Sequence, residues 1–223
     1  MVSIKRPSLN RSRLGRPSRL ASAALSDDIV AVARRIFLAQ GFARASMDSV
    51  AELASISKRT LYSRFAGKSA LFEAVILREI EDGLNSLQAR LPDFGDIRSE
   101  LKALSESLLS WMLSEVNVAM ERIIMAEAAR FPDLARRLYD AGFLGAARLV
   151  AELLRRAAAR GEVQLADPNF AADQFVSTVI LSPFRRAALG VEKATFDAAA
   201  FDRMSRAVDL FLDGCRPPPV RRS

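Results

Sequence analysis

Apolar residues recur at three- and four-residue spacing along most of this 223-residue chain, and no apolar/polar alternation is long enough to argue for a sheet. Ile29, Val32, Ala33, Ile36 and Phe37 predict a helix over about 27–40 that stops at Gly41, a residue suited to the left-handed C′ position. Met47, Val50, Ala51 and Ala54 predict a short second helix, with Ser46 as its cap and Asp48 near the positive end of its dipole. From Lys68 a long pattern runs through Leu71, Phe72, Val75, Ile76, Ile80, Leu84 and Leu87 to a turn marked by Pro92 and Gly95. Further helices are expected over about 97–115, 118–130, 133–160, 169–189 and 198–213, with Pro183 kinking or breaking the fourth of these. The fold class is all-α.

Between the second helix and Lys68 lies the most informative stretch, Ser46 to Phe65. A three-residue connection, Ser55-Ile56-Ser57, joins the short helix to a second one that starts near Ser57, whose hydroxyl can cap it. On a wheel of about 100° per residue Leu61 and Phe65 fall together and mark the buried side. Arg59, Thr60 and Ser63 then point away from the core, with Lys58, Tyr62 and Arg64 on the flanks. A helix pair with a cationic, hydroxyl-rich exposed face is a helix-turn-helix, whose second helix enters the major groove of DNA. Short amphipathic pairs are also common without that role, and charge distribution decides between the readings.

Residues 1–70 hold thirteen Lys and Arg against four Asp and Glu, a net of +9, whereas residues 71–223 hold twenty against twenty-two, a net of −2. All the excess positive charge is at one end, as expected of a protein that displaces counterions from phosphates. Residues 1–26 contain six Lys or Arg and no acid, with Ser, Pro and Gly between them, and predict a disordered basic arm. Arg16, between Gly15 and Pro17, has the chemistry of a minor-groove contact; a non-specific electrostatic tail is an equal alternative. The apolar stretch 20–25 is too short for a signal peptide, and no apolar run approaches the roughly 18 residues of a membrane span. With the single Cys215 excluding an internal disulfide, a cytoplasmic protein is expected.

Catalysis is poorly supplied. The chain has no histidine, which removes the usual general base and the commonest metal ligand, and nothing around Cys215 would activate its thiol. Neither a Gly-rich phosphate loop nor a metal-spaced Cys cluster is present. No enzyme activity, metal or cofactor is expected.

The order Gly41-Phe42, Ser46-Met47-Asp48, Ser57-Lys58-Arg59-Thr60-Leu61-Tyr62, Phe65 and Lys68 closely resembles the N-terminal domain of the tetracycline-repressor (TetR/AcrR) family of bacterial transcriptional regulators. The stretch 126–134, AEAARFPDL, is similar to one C-terminal subtype of that family, more loosely. The resemblance implies a two-fold homodimer on a palindromic double-stranded operator, an inducer pocket in each C-terminal domain, and a repressor in preference to an activator. It assigns Lys58, Thr60, Tyr62 and Arg64 to the recognition helix, and Ser46 and Lys68 to phosphate contacts; Tyr62 either reads a base or anchors the helix through its hydroxyl. Two residues depart from the family pattern. Ser55 stands in the turn where Gly is usual and φ is positive, at about 1 kcal/mol if the backbone is left-handed. Gly67 begins the next helix without a capping side chain.

The expected organisation is thus an arm (1–26), a helix-turn-helix domain (27–70), a helical effector-binding and dimerisation domain (71–213) and a frayed tail (214–223). Trp111, Met112, Met120, Ile124, Phe143 and Phe175 would either line a pocket for a small apolar effector or fill the helical core. Phe175, Val179, Leu189, Met204, Val208 and Phe211 would form the dimer seam or pack within one subunit. The competing function is a helical protein-interaction adaptor that does not bind specific DNA.

Overall fold

The computed structural model describes residues 19–215, with side chains from Ser22 onward. The described residues form α-helices only, apart from one π-helical segment: α1 (Arg19–Arg44), α2 (Met47–Leu53), α3 (Lys58–Tyr62), α4 (Lys68–Gln88), α5 (Ile97–Met112), α6 (Glu115–Glu127), α7 (Pro132–Ala159), α8 (Pro168–Phe175), α9 (Ser182–Ala188) and α10 (Ala198–Gly214). The all-α expectation holds.

Most helix starts are set by short polar caps. Ser46, Ser57 and Ser114 each accept a backbone N–H from three residues on, and Asp96, Asp167 and Asp197 do the same for α5, α8 and α10. Ser114 explains why α6 begins at Glu115 and not near Val118 as the apolar pattern suggested. At Gly41 the backbone leaves the helix (φ 72°, ψ 170°), so the first helical run ends where the glycine predicts, with one more short turn to Arg44.

Helix α1 starts at Arg19, eight residues before the expected 27, so the last part of the supposed basic arm is helical. Its Leu-Ala-Ser-Ala-Ala-Leu run favours a helix, and the Arg64 side chain holds it from across the domain. Arg16 lies outside the described residues.

Two cores divide the chain. The first gathers Ile29, Phe37, Leu61, Leu71 and Phe72 from α1, α3 and α4, each under 2% exposed and each worth about 1.5–3 kcal/mol on burial. Met120 of α6 and Leu134 and Leu138 of α7 belong to this same cluster, so α6 and α7 reach into the N-terminal core. The second core packs α5, α7, α8, the π segment and α10, with Leu104, Leu108, Leu153, Leu154, Phe175 and Val208 at its centre. Glu100, fully buried at its edge, accepts hydrogen bonds from the Phe94 and Gly95 N–H groups (3.0 Å each) and from Arg160 (3.0 Å), pinning the α4–α5 turn to the end of α7.

Pro183 does not break the chain path; it stands in the first turn of α9, just after the π segment. The turn before it, Val176–Leu181, widens to a π-helix, which accommodates a residue that has no N–H to give and whose ring would clash with the carbonyl four residues back.

The expected dimer seam needs correction. Phe175, Val179, Met204 and Val208 are all at most 3% exposed within one subunit, and half-buried Phe211 stands edge-on to Phe175 with centroids 5.0 Å apart. They close the C-terminal core because α8, the π segment and α10 turn their apolar faces inward. Of the six, Leu189 is exposed, and Leu210 and Phe201 lie exposed on the outer side of α10.

Candidate nucleic-acid interface and effector cavity

Helices α2 and α3 are joined by the tight turn at 55–57, in which Ser55 adopts φ 54°, the one positive φ outside glycine among the described residues. The turn is closed by the Ile56 N–H donating to the Ala51 carbonyl (2.9 Å). Leu61, fully buried, plugs α3 into the core and fixes which face points outward.

That outward face carries Lys58, Arg59, Tyr62 and Ser63, all exposed. Thr60 is half-buried: its N–H donates to the Ser57 hydroxyl (3.0 Å) and its own hydroxyl lies 2.8 Å from the same oxygen, so it helps cap α3. Ser63 donates its hydroxyl back to the Thr60 carbonyl (2.8 Å). Lys58 reaches across the turn to Asp48 at 2.7 Å. The Asp48 carboxylate, by that hydrogen bond first and by its charge second, raises the ammonium above its ordinary value and keeps it cationic. Ser46 caps α2 by accepting the Ser49 N–H (3.0 Å).

Two of the expected DNA contacts are committed elsewhere. Arg64 turns away from the outer face and donates to the Ser22 carbonyl (2.8 Å), the Ser26 hydroxyl (2.7 Å) and the Ser22 hydroxyl (3.2 Å), tethering the end of α3 to the start of α1. Lys68 donates to the carbonyls of Ala43 and Ala45 (3.0 Å each) and lies 4.6 Å from the centre of the Phe42 ring, capping the chain that leaves α1. The resemblance that assigned both positions to DNA says nothing of these partners, which come from other parts of the fold.

The second feature is a cavity of about 290 Å³ lined by α4, α5, α6, α7, the π-helical stretch and α9. Trp111, Met112, Met120, Ile124 and Phe143 line it, the first of the two alternatives their residue types left open. Phe175 does not; it is sealed in the second core against Phe211. Trp111 reaches its place because Gly83 on α4 has no side chain: a Cβ there would lie 2.3 Å from the indole Cζ2. Sequence reasoning missed Glu121, Tyr139 and Arg185 in the same wall. Glu121 was detectable, since it follows Met120, precedes Ile124 and Met125 on α6, and shares their side of the helix.

Comparison with known proteins completes the picture. Residues 29–75 match the model of bacterial regulatory proteins of the tetR family, and residues 99–214, more than half the chain, match the AefR-like transcriptional repressor C-terminal domain. The chain belongs to the TetR family of transcriptional regulators. Among TetR relatives, the HTH-type transcriptional regulator UidR of Escherichia coli K12 is 30% identical over 135 residues, covering 60% of this chain and 67% of UidR. The flavonoid-responsive regulator FrrA shares 33% identity and a TM-score of 0.71, over 88% of this chain and 99% of FrrA. A TetR-family structure from Mesorhizobium loti reaches a TM-score of 0.78 at 26% identity, over 90% and 100% of the two chains. The chain is therefore a DNA-binding regulator of a family whose members are not enzymes. Among the described residues no group of acids or Cys could hold a metal ion, and no helix is long and apolar enough to cross a membrane.

Proposed function

We propose that this protein is a cytoplasmic, ligand-responsive repressor that binds a palindromic operator as a homodimer through the outer face of α3. The observation that carries the reading is the outward display of Lys58, Arg59, Tyr62 and Ser63 on a helix fixed by buried Leu61, within the first 70 residues, which hold all the excess positive charge. Arg59 and Tyr62 supply base or phosphate contacts, while Lys58 must exchange Asp48 for a phosphate. One short helix covers too few base pairs for tight specific binding, and a second copy doubles the site. Leu189, Phe201 and Leu210 offer apolar surface for that pairing.

Response to a ligand is supported by the cavity and by the position of α6. Met120 packs in the N-terminal core, Ile124 faces the cavity, and Arg122 donates to the carbonyls of Ala188 (2.8 Å) and Ala187 (3.1 Å) at the end of α9. A molecule that displaces α6 therefore acts on both cores at once. Repression is favoured by the C-terminal family match, and an aromatic effector accords with the flavonoid response of FrrA.

The test is selection of bound fragments from a random duplex pool. A palindromic consensus bound by two chains supports the proposal; an adaptor would enrich no sequence. Loss of affinity in Arg59→Ala and Tyr62→Ala, with unchanged dimer and melting temperature, would assign the face.

A further inference from the structure

The cavity wall is apolar except at a few positions, and two of its polar side chains are already engaged. Glu79 pairs with Arg34 at 2.7 Å, and the Asn117 side chain donates to the Trp111 carbonyl at 2.7 Å. Glu121 differs. Among the described residues its carboxylate has no hydrogen bond and no ion pair; Arg185, at the exposed side of the cavity, acts on it only through space. Burial raises its proton affinity above the ordinary carboxylate range, and the field of Arg185 lowers it by less. A half-buried carboxylate without a partner carries part of its desolvation cost uncompensated, and a protein recovers that cost when a donor arrives. The same cavity wall holds Trp111, Tyr139 and Phe143, the last two stacked with centroids 4.9 Å apart and planes within 9°. Flat aromatic walls and an unpaired carboxylate define the complement of a flat molecule with one donor.

We propose that Glu121 is the selectivity determinant of this cavity: it admits an aromatic effector bearing a hydrogen-bond-donating head, a phenolic hydroxyl or an ammonium group, and disfavours one bearing a carboxylate. The inference rests on the cavity being the effector site. An anionic head would meet the Glu121 charge in a poorly solvated space, whereas Arg185, being exposed, is hydrated and gains less from an anion. The two admissible heads share one chemistry and differ in charge, so substitution separates them. Glu121→Gln keeps an acceptor and removes the charge; Glu121→Leu removes both.

The experiment is calorimetric titration of the full chain with four probes on one skeleton: 2-naphthol, 2-naphthylmethylammonium, 2-naphthoate and 2-methylnaphthalene. At least one of the first two is expected to bind the parent about tenfold or more tightly than the last two, as a charge-assisted hydrogen bond would give. That preference should vanish in Glu121→Leu. In Glu121→Gln it should survive within about threefold for a hydroxyl head and vanish for an ammonium head, which identifies the head. Both variants remove a half-buried, unpaired charge and should melt close to the parent; Glu121→Gln serves alone if Glu121→Leu does not fold. Tightest binding of naphthoate or methylnaphthalene, or an unchanged preference in both variants, overturns the role of Glu121 and leaves the cavity an effector site. Failure of all four probes to bind the parent overturns the effector-site reading itself, and the inference with it.

Discussion

The rings of Phe42 and Phe131 meet edge to face, with centroids 5.6 Å apart and planes at 72°. Phe42 follows the Gly41 break in α1 and also contacts Phe37 and Phe72, whereas Phe131 precedes α7. The aromatic cluster of the N-terminal domain is thus completed by a residue of the C-terminal domain. The Arg137–Glu73 ion pair joins α7 to α4 beside it.

Phe131→Ala should therefore weaken communication more than folding. Phe131 is only half-buried, so the loss in stability should be about 1–2 kcal/mol, below the ~3–5 kcal/mol of a fully buried aromatic. Denaturant unfolding measures it. In a DNA-release assay, the variant should bind operator but need more effector for release; unchanged release would remove Phe131 from the coupling.

The turn before α3 carries a strain that substitution can relieve. Ser55 at φ 54° stores about 1 kcal/mol, and glycine returns part of that gain through the flexibility of the unfolded chain. Ser55→Gly should leave stability level or raise it by up to ~1 kcal/mol, and Ser55→Val should lower it by more than 1 kcal/mol. Melting temperatures of the two variants decide the matter, and a more stable valine variant would contradict the backbone geometry.

The position of Trp111 depends on an empty space across from it. Gly83→Ala would place a methyl against the indole, forcing it into the cavity or out of the core. Fluorescence of this single tryptophan should shift, and binding of any effector that fills the 290 Å³ cavity should weaken about tenfold or more. An unchanged spectrum and affinity would mean that Trp111 does not shape the wall.

Acid sensitivity should trace in part to Asp209, where α10 meets α5. The Lys102 ammonium, at 3.0 Å, is the largest influence holding its carboxyl below the ordinary range, with Arg98 adding to it. A depressed carboxylate pKa adds stability that is complete above the unfolded value near 4 and is lost as pH falls through the folded value. Between pH 5 and 2 the parent should lose more in melting temperature than Asp209→Asn does. Parallel curves would exclude the pair from the acid response.

What could be read from the sequence follows the reach of each signal. Helical period, caps at Ser46 and Ser57, the stop at Gly41 and the strained Ser55 are local, and each reappears in the fold. The intramolecular partners of Arg64 and Lys68, Ser22 and the carbonyls of Ala43 and Ala45, were not legible because they come from elsewhere in the fold. Phe175 and Val208 were legible as apolar but not as facing inward or outward, since an apolar stripe has the same period at a core and at a subunit seam. The start of α1 at Arg19 depends on a tether that only the folded domain supplies.

The central claim is that the exposed α3 face docks on duplex DNA, and affinity for a selected palindromic duplex as a function of salt tests it most directly. The parent should lose affinity steeply and linearly in log salt, Asp48→Asn should bind more tightly by freeing Lys58, and Lys58→Ala/Arg59→Ala should bind more weakly with a shallower slope. Identical affinities and slopes in all three proteins would contradict it.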